Sequence, residues 1–206
     1  MPEQMTADEA LATLVAGNQR WVREIPHRPR QTVKHRLHLA FNGQSPFATV
    51  VCCSDSRVPA EIVFDAGLGD LFVVRTAGNV ISAFDLGSIE YGVVKLGIQL
   101  ILVLGHQKCG AVTAAAGGHT APGNIQNIIQ AIQPAVTIAR DMEGDIVENA
   151  ARANAVLVMQ QMLSTSPLLH ERARESGLLI AGGYYSLESG EVDIISDEFR
   201  RRVTTA

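Results

Sequence analysis

Cysteine and long apolar runs are both scarce in this chain of 206 residues. Its three cysteines are an odd number and do not form the framework of a disulfide-stabilised secreted domain. No apolar segment reaches the roughly 18 residues that a membrane-spanning helix needs. The first residues of the chain have neither the basic region nor the apolar stretch of a secretory signal. We therefore expect a soluble, cytoplasmic protein with no membrane partner.

Positive charge and phosphate-binding motifs are also missing. The formal net charge is −4, which disfavours nucleic acid as the main partner. Residues 23–36 are locally basic, and a solvated arm or an oligomer contact explains that stretch more simply. Gly105 and Gly110 are spaced as in a P-loop, but Ala111 stands where a P-loop needs lysine. Residues 67–69 lack the third glycine of a dinucleotide-binding motif, so we expect no nucleotide.

Strand-like segments recur along the chain and alternate with helical ones. A length of 206 residues with 47% hydrophobic content suits a single domain, 1–206, with a substantial core. Short apolar or β-branched segments predict strands at residues 47–53, 71–75, 99–105, 178–184 and 192–195. Alternation with helices indicates a parallel sheet. We predict an α/β fold with a mostly parallel central sheet of four strands plus an antiparallel edge strand, flanked by helices.

Capping signals and helical periodicity predict the helices. Thr6 and Glu9 form a capping-box pattern at the start of the first helix. Pro26 and Pro29 then interrupt the chain before a second short helix, so the N-terminal region is a helical arm. Ser166 precedes a proline at the first position of a later helix. The predicted helices span residues 6–23, 32–41, 83–96, 109–116, 125–141, 145–163 and 166–177.

Two polar segments directly follow predicted strands. Cys53-Ser54-Asp55-Ser56-Arg57 comes after the first strand, and His106-Gln107-Lys108-Cys109-Gly110 comes after the third. In open α/β sheets, ligands bind where the carboxyl ends of the strands open into loops. Two thiols and an imidazole would then meet a carboxylate and a guanidinium at one edge of the sheet. That combination suits a zinc ion with three protein ligands and a fourth position free for chemistry.

Simpler interpretations exist for each of these residues. His106 could be a buried histidine whose hydrogen bonds are satisfied, which is the usual fate of a single histidine. Asp55 with Arg57 could be a helix cap or a surface ion pair. A structural zinc finger needs four ligands, whereas this pattern supplies three. The spacing of His106 and Cys109 after a buried strand favours metal ligation.

The same segments resemble the signature of the β-class carbonic anhydrases, which are zinc lyases that interconvert carbon dioxide and bicarbonate. The resemblance includes Cys-Ser-Asp-Ser-Arg at 53–57 and His-x-x-Cys-Gly at 106–110. It extends over 58–61, 69–79, 87–91 and 104–106, and becomes less diagnostic from about Gly117 onward. It implies Zn²⁺ bound by Cys53, His106 and Cys109. Cys52 then points to the opposite face of its strand, as a small buried residue.

The resemblance also implies a mechanism, in which zinc-bound hydroxide attacks carbon dioxide to give bicarbonate and a proton. Arg57 would form a bidentate pair with Asp55 and keep it ionised, so that Asp55 accepts the hydroxide proton. Both residues are therefore predicted to be catalytic. In some members of the family, this aspartate binds zinc itself at low pH and closes the site. Val50 and Cys52 stand where a related subtype uses tryptophan and glycine for bicarbonate-linked closure, so we expect the plant-like, water-bearing open site.

The family's substrate pocket and subunit arrangement complete the expectations. In plant-like members a glutamine, a phenylalanine and a tyrosine line the pocket, and Gln44, Phe72 and Tyr91 stand at those places. The backbone amide of Gly110 is a further candidate. The family's pocket lies at a dimer interface, with Gln44 supplied by the other subunit. The resemblance thus implies a homodimer or a tetramer, in which the helical arm, 1–45, packs on a partner subunit.

Two other functions remain open at this stage. The same scaffold could hydrolyse carbonyl sulfide or carbon disulfide, which are linear molecules open to the same attack. The chain could also be a non-catalytic zinc-binding module. The presence of both Asp55 and Arg57 argues against the module, since metal binding alone has no use for that pair.

Overall fold

The computed structural model describes residues 5–118 and 120–205 and has a mixed sheet at its centre. Within these residues the sheet has five strands in the order β2-β1-β3-β4-β5. The first four are mutually parallel, and β5 pairs antiparallel with β4 at the edge. This confirms the predicted α/β fold class. The strands are β1 (Ala48–Cys52), β2 (Leu71–Arg75), β3 (Leu100–His106), β4 (Leu179–Tyr185) and β5 (Val192–Ile194).

The helices lie close to their predicted positions, with three additions. A one-turn helix, α3 (Ala60–Val63), precedes β2, a short 3₁₀ turn, Ala77–Asn79, follows β2, and α9 (Asp197–Thr205) follows β5. The sequence pattern does not predict α9, because its three consecutive arginines, 200–202, hide the apolar spacing of Phe199 and the buried Val203. The helices are α1 (Ala7–Val22), α2 (Val33–Asn42), α3 (Ala60–Val63), α4 (Ala83–Leu96), α5 (Gly110–Ala116), α6 (Ile125–Ala139), α7 (Ile146–Thr165), α8 (Pro167–Glu175) and α9 (Asp197–Thr205).

Local signals explain where several of these helices begin and end. Thr6 and Glu9 form both hydrogen bonds of the capping box at the start of α1. The Ser166 hydroxyl accepts a hydrogen bond from the Leu169 amide, and Pro167 occupies the first turn of α8. Gly177 follows this helix with a φ of 73°, a left-handed conformation that favours glycine.

The core forms on both faces of the sheet. Strands β1 and β3 are buried along their whole length, as expected for parallel strands covered on both sides. On one face Val51 and Val103 pack in the same cluster as Met159 of α7. On the other face Val50 and Leu102 share a cluster with Leu14, Val63 and other side chains from α1 and α3. Alternate residues of each strand therefore belong to different cores. No helix among the described residues is long and apolar enough to cross a membrane.

The N-terminal arm is attached to its own chain by buried polar groups. The amide of Asn18 donates to the carbonyls of Val63 and Gly190, at 3.1 and 2.8 Å. The buried Asp65 carboxylate accepts from Arg20 Nε at 2.6 Å and from the backbone amides of residues 27 and 28. These contacts hold α1 and the segment that follows it against the core.

The helix α2 is different, because it buries none of its residues. Val33, Leu37 and Phe41 recur every four residues, and their exposed fractions are 63%, 48% and 85%. Residues at this spacing lie on one face of a helix. We call this face the α2 stripe. The predicted packing of the arm on a partner subunit stays a prediction, and the α2 stripe is an apolar face available for it.

Candidate metal centre

Two cysteines and a histidine meet where β1 and β3 end. Cys53 is the residue after β1, and His106 is the last residue of β3. These strands pair directly, with Cys52 opposite Leu104, so their carboxyl ends are adjacent. Cys109 lies at the N-cap of α5, in the loop that leaves β3. All three side chains are buried, and their candidate ligand atoms lie within 4.8 Å of one another.

The unpaired nitrogen of His106 shows that this cluster fits a cation. His106 Nδ1 lies 2.9 Å from the carbonyl oxygen of Gln107, which can only accept a hydrogen bond. Nδ1 therefore carries the proton, and the lone pair is on Nε2. Nε2 is buried and has no hydrogen-bond partner among the described residues. A buried polar atom without a partner is costly, and a metal ion at this position would remove that cost.

The sulfur atoms also have the spacing of zinc ligands. Cys53 Sγ and Cys109 Sγ are 4.0 Å apart. Two thiolates on one tetrahedral zinc are about 3.8 Å apart, since each Zn–S bond is about 2.3 Å. Two thiolates and one neutral imidazole are donors that zinc prefers over the oxygen ligands of calcium or magnesium. The donor set therefore fits Zn²⁺ with three protein ligands.

Hydrogen bonds favour the thiolate form of Cys53. The Cys109 thiol, which donates to Cys53, is the largest cause that lowers the Cys53 pKa, to about 4, while burial opposes this change. The backbone amides of Gly78 and Asp55 also point at Cys53 Sγ, at 3.2 and 3.4 Å. The pKa of Cys109 is raised by the same bond to Cys53 and by burial. A bound cation would favour the thiolate form of both residues.

Cys52 is excluded from this centre by the alternation of strand side chains. It is fully buried on the opposite face, in the cluster that contains Val50 and Leu102. Burial raises its pKa to about 12. Its thiol is therefore protonated at neutral pH and behaves as a small apolar side chain.

Asp55 and Arg57 form a bidentate ion pair beside the cluster. Arg57 Nε donates to Asp55 Oδ1 at 2.9 Å, and Arg57 Nη2 donates to Oδ2 at 2.8 Å. These bonds lower the pKa of Asp55 to about 2, so the carboxylate is ionised at all ordinary pH values. Asp55 Oδ2 lies 4.0 Å from His106 Nε2. A permanently charged acceptor therefore faces the position that a cation would occupy.

Two further residues shape the centre, and neither of them was predicted as a metal ligand or as a catalytic residue. Arg75 donates to the carbonyl oxygens of Cys53 and Asp55, at 3.0 and 2.7 Å, and so holds the loop that carries both side chains. Gly78 has a φ of 68° and directs its amide at Cys53 Sγ. The signal for Gly78 is a glycine just after a strand, where a left-handed turn is common. An arginine at the end of a strand carries no comparable signal.

The predicted substrate-pocket residues are more dispersed within one chain. The rings of Phe72 and Tyr91 stack with centroids 6.3 Å apart, and Tyr91 is half exposed. Phe72 pairs with Thr49, four residues before Cys53, which is about 13 Å along the strand. The exposed Gln44 lies in the loop before β1, and Gly110 begins α5 next to Cys109. A pocket built from these residues thus stays a prediction that needs a second subunit.

Together these features define a class of protein, an α/β protein with a Cys₂His group that could hold a metal ion at the carboxyl ends of parallel strands. Comparison with known proteins identifies the family. The family model described as carbonic anhydrase matches residues 48–192, which is more than half of the chain. Carbonic anhydrase 2 of Mycobacterium tuberculosis is 42% identical over 185 residues, covering 88% of this chain and 89% of that protein.

Two further proteins, one similar in sequence and one similar in fold, are also carbonic anhydrases. The carbonic anhydrase of Mycolicibacterium smegmatis is 39% identical over 193 residues, covering 91% and 92% of the two chains. A tetrameric β-carbonic anhydrase of Sordaria macrospora has the same fold, with a TM-score of 0.71 at 22% identity over 91% of this chain and 98% of that one. The chain therefore belongs to the carbonic anhydrase family and is an enzyme, and its fold is that of the β class.

The adjacent cysteines offer a matched test of the metal centre. We expect the purified protein to hold about one zinc ion per chain and Cys53→Ala to lose most of it, because one of three protein ligands is removed. Cys52→Ala removes the neighbouring thiol from the opposite face, and we expect it to retain the metal. Metal analysis of both folded variants checks this, and equal zinc contents would contradict the assignment of ligands.

Proposed function

We propose that this chain catalyses the reversible hydration of carbon dioxide to bicarbonate and a proton, with Zn²⁺ as its cofactor. The family and its relatives support the reaction. The observation that carries the proposal is the ionised Asp55–Arg57 pair beside a buried Cys₂His donor set. A purely structural metal site has no need of a carboxylate that is charged yet not among the metal's own ligands.

The metal would be held by Cys53, His106 and Cys109, leaving one position open. When bound, zinc supplies the Lewis acidity that makes hydroxide available from water near neutral pH. The protein contributes burial, which strengthens electrostatic interactions at the centre. It also contributes the Gln107 carbonyl, which sets the tautomer of His106.

Asp55 would orient the attacking group. Its Oδ1 accepts from the backbone amide and from Nε of Arg57, whereas Oδ2, among the described residues, accepts only from Nη2 of Arg57. A carboxylate oxygen has two acceptor positions, so Oδ2 keeps one of them free on the side of His106. The O–H group of the attacking hydroxide would donate a hydrogen bond to this oxygen, which turns an oxygen lone pair toward carbon dioxide.

The geometry of the Asp55–Arg57 pair supports an open site, in which Asp55 does not bind the metal, rather than a closed site, in which it does. Direct binding of Asp55 to the metal would require its carboxylate to turn away from Arg57 and lose the two side-chain hydrogen bonds. Arg57 is itself held by the Lys108 carbonyl at 3.3 Å. The charge-assisted pair therefore opposes closure, and we propose that Asp55 serves the reaction as an acceptor and not as a ligand.

Carbon dioxide would bind in a pocket completed by a partner subunit. We propose a homodimer or tetramer in which the arm, 1–45, packs on a second copy through the α2 stripe. In this arrangement Gln44, Phe72 and Tyr91 would meet Gly110 across the interface, which accounts for their separation within one chain. The relative from Sordaria macrospora is described as tetrameric.

A stopped-flow assay of carbon dioxide hydration across a range of pH tests the function. We expect the rate to rise with pH through the neutral range. Two thiolates would donate charge to the metal and make water bound there less acidic, so more hydroxide would be available as the pH rises. The pKa of Asp55, about 2, places its own titration far below this range, so Asp55 does not cause the rise.

Zinc analysis of the same sample is the control for this assay. Metal-loaded protein with no hydration activity would contradict the proposal and leave a non-catalytic zinc module. Carbonyl sulfide tested in parallel, with release of sulfide as the signal, would reveal the alternative hydrolase. A hydration rate that does not change with pH would contradict the expected acidity of the centre.

Asp55→Asn tests the role of the carboxylate. We expect hydration to fall on the order of 100-fold, because an amide cannot accept the same charge-assisted hydrogen bonds. Zinc content should stay unchanged, since Asp55 is not among the three ligands. Asp141→Asn changes an exposed aspartate elsewhere and serves as the matched control. Wild-type activity in Asp55→Asn would remove this residue from the mechanism.

Phe41→Ser tests the subunit arrangement. Because Phe41 is 85% exposed in one chain, its replacement should not disturb the core, but it should weaken the association of subunits. We expect a smaller average mass in light scattering at low protein concentration. Ile125→Ser, a change of another exposed apolar residue outside the arm, is the control. An unchanged mass for Phe41→Ser would contradict packing through the α2 stripe.

A further inference from the structure

A buried asparagine of α7 is linked to the metal centre through Gly78. Asn154 Nδ2 donates to the Gly78 carbonyl oxygen at 2.8 Å. The amide of the same glycine donates to Cys53 Sγ at 3.2 Å. Asn154 is only 1% exposed. The side chain of Asn154, which is far from Cys53 in the sequence, therefore holds Gly78, and the amide of Gly78 contacts the candidate ligand Cys53.

The position of Asn154 is unusual for a polar residue. Burial of an amide is unfavourable unless it forms hydrogen bonds, so its presence calls for a physical reason. The Gly78 carbonyl provides a partner. The other buried residues of α7 are apolar, namely Ala150, Ala151, Ala153, Ala155, Val156, Val158, Met159 and Met162.

Gly78 needs such a partner because of its own conformation. Its φ of 68° and ψ of 20° lie in the left-handed region. A glycine can also adopt many other backbone conformations, because it has no side chain. A Cβ at this position would lie 2.7 Å from Ile132 Cδ1 and 3.1 Å from Ala111 Cβ, so these neighbours would have to shift. The left-handed φ and these close contacts both favour glycine, and the hydrogen bond to Asn154 limits the freedom that glycine introduces.

We propose that Asn154 is a positioning residue for the metal centre, which acts by fixing Gly78 so that its amide meets the Cys53 sulfur. This inference rests on the proposed function, because it assumes that Cys53 binds zinc. Amide hydrogen bonds to a ligating sulfur orient it and stabilise its negative charge. Without Asn154, Gly78 would sample other conformations, and the amide would point at Cys53 for only part of the time.

Replacement of Asn154 by leucine or by alanine tests this role. Both variants remove the donor, and leucine keeps the same branched arrangement of side-chain heavy atoms. We expect each to bind Zn²⁺ about 10-fold more weakly than the wild type, the lower end of the usual effect of residues that support a ligand. The affinity is measured by competition with a chelator. The thiolate-to-metal absorption of the cobalt-substituted protein should also shift, since one sulfur loses its amide partner.

Ser166→Ala is the matched control, because it removes another buried polar side chain, one that hydrogen-bonds to Glu90 and caps α8. We expect it to lower the unfolding temperature but to leave zinc affinity and the cobalt spectrum unchanged. Wild-type affinity and spectrum in both folded Asn154 variants would overturn the inference and leave the proposed function intact. A wild-type protein that binds no zinc would overturn the proposed function itself.

Discussion

The parallel pairing of β1 with β3 is the constraint on which the site depends. It places Cys53 and His106 at adjacent strand ends, and the register sets Cys52 opposite Leu104. Since strand side chains alternate between faces, a slip of one residue would send Cys53 to the opposite core and bring Cys52 into the site. The close packing of side chains of different size on the two faces of β1 and β3 opposes such a slip. The packing of the core therefore decides which thiol is available to a metal.

Around this edge, each polar group is held by a backbone or side-chain partner. The Gln107 carbonyl sets the tautomer of His106, and Arg75 holds the carbonyls of Cys53 and Asp55. Arg57 keeps Asp55 charged and directs its carboxylate. These contacts come from β2, from β3 and from the loops that follow the strands, so the geometry of the centre belongs to the whole sheet. Such preorganisation lowers the cost of binding a cation in a buried place.

Sequence patterns predicted most of the fold because local chemistry determines it. Capping residues, prolines and apolar periodicity located the strands and most helices to within a few residues. The helix α9 was missed because its arginines conceal a short apolar pattern. The candidate donors were also readable, since a cysteine and a histidine followed by a second cysteine stand at the ends of two buried strands. The support from Asn154 was not, because Asn154 is far from Cys53 in the sequence.

What the sequence determined by itself is the chemistry available to this protein, namely the donors, the charged pair and the fold class that brings strand ends together. The state of each group arises from tertiary packing. This packing buries His106 Nε2 without a hydrogen-bond partner in the described part of the chain, places Cys52 in the opposite core, and separates Phe72 and Tyr91 from Cys53 within one chain. The physical reason is that the type and order of residues are local properties, whereas burial, register and distance arise only when remote segments pack together.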